Sequence, residues 1–121
     1  MPAVRPEPPP LPPGPEPRAL SLEARGAPYL PLLEGPPGTV AMKAGLVILA
    51  PGGSVGLHST EGREEFLVIL EGAGEFRITG GPTLPVAAGG ALYCPPGRFH
   101  DVVNTGPGPL RYIFVVAGPP A

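Results

Sequence analysis

From Val40 onward, apolar residues come in short runs broken by glycine and proline. No stretch after Arg25 repeats them at the helical interval, so the pattern predicts strands. The runs are Val40–Met42, Gly45–Ala50, Val55–Ser59, Glu65–Leu70, Gly74–Ile78, Thr83–Ala87, Ala91–Cys94, Phe99–Asn104 and Leu110–Ala117. Turns fall between them, at Pro51–Ser54, Thr60–Arg63, Glu71–Ala73, Thr79–Pro82, Gly89–Gly90, Pro95–Gly97 and Thr105–Pro109. Many short strands with such punctuation make an all-β sandwich or barrel.

Upstream, the pattern changes twice. Residues 2–17, PAVRPEPPPLPPGPEP, hold nine prolines. Proline fixes φ and donates no backbone hydrogen bond, so 1–17 is expected to be an extended or disordered arm. It reads as a solvated tail or as a ligand for another domain. Arg18–Arg25, RALSLEAR, reads as one short helical turn. Ala27–Leu33, with its two prolines, reads as an edge strand or an arm lying across a sheet. Residues 18–121 are expected to form a single domain.

Two runs are apolar on both faces, Phe66–Leu70 and Tyr112–Val116. A solvated antiparallel strand alternates instead, so both sides of these two need cover. The second sheet covers one side. The N-terminal arm is one cover for the other, and a second subunit is the more economical one, which predicts a homodimer.

Composition narrows the partners. A formal net charge of −2 and no Lys/Arg cluster argue against nucleic acid or a membrane surface. Cys94 is the only cysteine, so the chain forms no internal disulfide. That, with the lack of a signal-like start or an 18-residue apolar run, points to a cytoplasmic protein.

Candidate chemistry gathers in Gly52–Gly72, GGSVGLHSTEGREEFLVILEG. Residues two apart in a strand share a face, so Glu65, Leu67 and Ile69 point one way and Glu64 the other. His58 and Thr60 share a side if their segment is extended. An imidazole and a carboxylate at the mouth of an apolar strand await a third ligand. The only other histidine is His100, in PPGRFHDVVN, with Val102 and Asn104 on its face. Asn104 reads as a turn-stabilising residue. Tyr93 and Cys94 take opposite faces of their strand, Cys94 as a small core residue rather than a nucleophile. Arg77 and Arg98 are candidates for an anionic substrate, or plain surface arginines.

These two segments resemble the paired motifs of the cupin superfamily. In the first, G-x5-H-x-H-x3,4-E-x6-G, the matching residues are Gly52, His58, Glu65 and Gly72, with Thr60 where a second histidine belongs. Gly89, Pro95, Gly97, His100 and Asn104 fit the second, G-x5-P-x-G-x2-H-x3-N, without a gap. The resemblance implies a jelly-roll β-barrel with His58, Glu65 and His100 as metal ligands. Two imidazoles and one carboxylate suit non-haem iron(II), or zinc with a water, and manganese or nickel are further candidates. The implied function is a metal-binding protein that binds or acts on a small molecule in the barrel, as a dioxygenase or an isomerase. Loss of the ligand at Thr60 keeps two rivals open. One is a metal-free small-molecule binding or sensor module. The other is an interaction protein that works through its proline arm.

Overall fold

The computed structural model describes residues 6–119. Eight strands pair antiparallel throughout: β1 (Tyr29–Glu34), β2 (Met42–Leu49), β3 (Glu64–Glu71), β4 (Ala73–Ile78), β5 (Thr83–Ala87), β6 (Ala91–Cys94), β7 (His100–Val103) and β8 (Leu110–Ala117). They form a five-stranded sheet, β1-β2-β8-β3-β6, facing a three-stranded one, β5-β4-β7. The protein is all-β, as its punctuation predicts. The core lies between the sheets, where Leu67, Ile69, Leu110 and Tyr112 meet Phe76 and Val102.

Three expectations need correction. Val40–Met42 and Gly45–Ala50 are not separate strands but one, β2, with Gly45 inside it. A side chain there would collide with the rings of Tyr29 and Phe114, at 2.5 and 2.8 Å from its first carbon. Gly45 is a seat for two rings. Val55–Ser59 is not a regular strand either. It runs irregularly beside β7, with bridges at Ser54–Val103 and His58–His100 and a Val55 N–H donated to the Val102 carbonyl.

Arg18–Arg25 forms no helix. Leu22 and Ala24 are half-buried while Ser21 and Glu23 are exposed, the period of an extended segment. Arg111 on β8 donates to the Leu22 carbonyl at 3.1 Å, which ties this segment across the outside of the large sheet. Ala44 and Leu46 point to that outside, yet Leu46 is 0% exposed. The N-terminal segment therefore covers the β2 side. The β3 side is barer: Phe66 is 45% and Tyr93 54% exposed. Residues 6–17 carry no strand or helix and are exposed, and the first five residues of the expected arm lie outside the described residues.

Register fixes what faces the interior. Lys43, Val116 and Glu65 stand opposite one another on β2, β8 and β3, forming one rung across the sheet. Gly45, Phe114 and Leu67 form the next, and Val47, Tyr112 and Ile69 the third. At Gly72, between β3 and β4, φ is +83° and a side chain would strike the Pro109 carbonyl. Only glycine allows so tight a hairpin there.

Candidate metal centre

Glu65 is the second residue of β3, on the first rung, and its inward side chain is buried. Glu64 turns outward, as alternation requires, and accepts a hydrogen bond from the Tyr93 hydroxyl at 2.7 Å. His100 opens β7 on the opposite sheet and is 0% exposed. Its ring stacks on Phe76 at 4.8 Å between centroids. His58 lies outside the strands. Its backbone exchanges hydrogen bonds with His100, N to O at 2.9 Å and O to N at 2.8 Å. This pairing brings the two imidazoles edge to face, 4.4 Å apart. One ligand atom from each of His58, Glu65 and His100 lies within 4.8 Å of the others.

Both rings are oriented by the backbone. His58 Nδ1 lies 2.8 Å from the Gly56 carbonyl, and His100 Nδ1 lies 2.8 Å from the Arg98 carbonyl. A carbonyl only accepts, so each Nδ1 carries the proton and each neutral ring keeps a lone pair at Nε2. His100 Nε2 and Glu65 Oε1 are 2.8 Å apart, buried, and neither has a partner of hydrogen-bond geometry. Two atoms that both carry lone pairs thus lie at contact distance. Such an arrangement is stable only with a positive charge between them, a proton or a cation. Burial pushes the His100 pKa down, but the Glu65 carboxylate, the Arg98 carbonyl and Asp101 together raise it above the ordinary histidine value.

Several nearby residues are structural. Asn104 donates to the Leu49 and Gly108 carbonyls and accepts from Gly106 N, which makes it the expected turn clamp. Asp101 accepts from Gly56 N at 3.0 Å and so holds the segment that carries His58. Thr60 donates to the Arg63 carbonyl at 2.8 Å, closing the turn before β3. The Cys94 thiol is buried, and its pKa is raised by that burial and by Glu65. It lies 3.8 Å from His100 Nδ1, a proximity that sequence order hides.

A cavity of about 580 Å³ opens above the triad, walled by Val47, Leu67, Val102, Tyr112 and Phe114. Arg77 and Arg98 do not line it, and Arg77 instead pairs with Glu75 at 2.9 Å on the surface. Its cations are Lys43 and Arg63. Arg63 was legible as a residue two before Glu65. Lys43 reaches the site only through the ladder from β2 to β3.

A family model described as a cupin domain matches residues 45–116. A curated relative from Thermotoga maritima, named an oxalate-binding protein, is 40% identical over 68 residues, 56% of this chain and 55% of that protein. The match thus spans about half the length of that relative. A crystal structure from the same organism, described as a predicted oxalate decarboxylase, superposes with a TM-score of 0.67 at 32% identity, covering 74% of this chain and 77% of that one. A cupin 2 conserved barrel domain protein from Salinispora arenicola gives 0.64 at 26%, covering 83% and 82%.

Proposed function

The chain belongs to the cupin family, and on that premise we propose that it holds one divalent transition-metal ion between His58, Glu65 and His100 and binds a small organic acid in the cavity above it. The observation that carries the metal is the buried pair of facing lone pairs, His100 Nε2 and Glu65 Oε1, with both imidazoles already turned by backbone carbonyls. Neutral nitrogen and carboxylate oxygen together suit iron(II), zinc, manganese or nickel. A bound ion would polarise an oxygen of the ligand and leave coordination positions open. Dioxygenase and isomerase chemistry both need those positions, and so does simple ligand capture. The carboxylate class is supported by the two cations on the cavity wall and by a relative named for binding oxalate.

One rival has an observation in its favour. The raised His100 pKa lets a proton bridge His100 and Glu65, which suits a metal-free binding module. Titrating zinc or anaerobic iron(II) at neutral pH separates the two. Thr60→His is expected to bind most tightly, since it restores a ligand beside His58, then the wild type, with His100→Ala retaining no site. Equal, weak binding by all three overturns the metal and leaves the metal-free module.

A further inference from the structure

The cavity's charge and its apolar depth are arranged along one line. Lys43, Val116 and Glu65 make the outermost rung, and Arg63 joins them from two residues before Glu65. Lys43 is exposed at the mouth and Arg63 is half-buried. Three carboxylates stand near, Glu65 on the same rung, Glu61 on the rim and Glu34 opposite Lys43 on β1, yet none forms an ion pair with either cation. Among the described residues both cationic side chains are free of ion pairs. Lys43 and Glu65 are two strands apart, about 10 Å between backbones, so an extended lysine spans much of the gap toward the triad. Two unpaired cations on the wall of one cavity invite an anion.

Beneath that rung the wall carries no charge. Phe114 and Leu67 line the second rung, Val47 and Tyr112 the third. Rungs two residues apart are about 7 Å apart along the strands, which puts the third about 14 Å below the cations. Gly45 contributes by absence: the space its side chain would take holds the rings of Phe114 and Tyr29. A two-carbon diacid, whose carbons are about 1.5 Å apart, reaches one rung and leaves the apolar wall without a partner. An acid with an apolar body packs against it.

We infer that this cavity selects an organic acid with an apolar body, its carboxylate held between Lys43 and Arg63 and its body against Phe114, Val47 and Tyr112. The inference rests on the reading of the cavity as the ligand site, and it distinguishes this chain from a site built for oxalate. Apolar burial supplies affinity and the two cations supply the sign of the charge.

The test is calorimetric titration of the full chain with 3-phenylpropionate, oxalate and the uncharged 3-phenylpropanamide, with zinc binding measured on the same samples. The expected result is 3-phenylpropionate binding at least about tenfold tighter than either of the others. Lys43→Met and Arg63→Gln should each cost the acid about tenfold and leave the amide's affinity where it was. A general loss of structure would lower both ligands together, so that contrast isolates the charge. Oxalate binding as tightly as the larger acid overturns the inference, as does an unchanged acid affinity in both variants. Zinc binding without preference for the larger acid sinks this inference alone. Preference without zinc binding sinks the metal alone and leaves the acid site standing.

Discussion

His100 and His58 turn the same ring nitrogen toward the same point, and the fold holds them by different means. His100 sits on β7 between the sheets, wholly buried against Phe76. His58 sits on a segment outside the strands, the most exposed of the three candidate ligands. Its position depends on a two-bond bridge to His100, its own Gly56 carbonyl, and the Asp101 carboxylate that anchors Gly56. One half of the centre is thus fixed by the packing that makes the barrel. The other half is fixed by a few hydrogen bonds at the rim, each contributing about 1 kcal/mol. If the centre holds a metal, stability and ligation are coupled in the first half and separable in the second.

Paired substitutions sharpen that contrast. His100→Ala should abolish zinc binding in calorimetry and also lower unfolding free energy by about 2–4 kcal/mol in urea, because it leaves a cavity beside Phe76 and strands the Glu65 carboxylate. His58→Ala should lose zinc to a similar extent but cost no more than about 1 kcal/mol. Equal destabilisation by the two would erase the distinction. The pH dependence separates them again. The His100 pKa is raised in the fold, so its contribution to zinc-free stability is full below the ordinary histidine value and is lost as pH rises through the raised one. The thermal midpoint of zinc-free protein should fall across that window in wild type and in His58→Ala, and the fall should vanish in His100→Ala. Zinc affinity should run the other way and rise with pH, since metal and proton compete for one lone pair.

The smallest effect concerns the far side of the strand that carries Glu65. Phe66 and Tyr93 lie exposed there, with Val68, Ile113 and Val115 only half-buried around them. We expect a second copy of the chain to cover this face, with the same patch on both partners. Light scattering at micromolar concentration should give a dimer for wild type and a monomer for Phe66→Asp, with zinc binding little changed because the patch faces away from the cavity. A monomeric wild type would show that the face stays bare.

Much of this was legible in the residues themselves. The alternation of Glu65, Leu67 and Ile69 put Glu65 and Glu64 on opposite faces, and the resemblance to the paired cupin motifs implied the grouping of His58, Glu65 and His100 that the structure brings together. The strands followed from glycine and proline punctuation. What escaped was set by long-range pairing. Lys43 belongs to the site only because β8 lies between β2 and β3, an order no local pattern carries. Lys43 and Ala44 separate two apolar runs in the sequence, yet β2 passes through them, and Gly45 within it admits two rings from elsewhere. Leu20, Leu22 and Ala24 alternate, a period-two signal within RALSLEAR that good helix formers mask. Their partner sheet is what selects the extended form.

The wall of the cavity also supplies an optical reporter. The chain has no tryptophan and three tyrosines. Tyr93 lies on the outer face, Tyr29 is stacked over Phe114, and Tyr112 is buried in the cavity wall. With no indole to mask it, the ultraviolet emission of the unlabelled protein comes from these rings alone. A guest bound in the cavity would lie against the wall that Tyr112 and Phe114 form, while Tyr93 on the outer face would stay as an internal constant. Occupancy is therefore readable as a change in native tyrosine fluorescence, with no dye attached and no residue replaced.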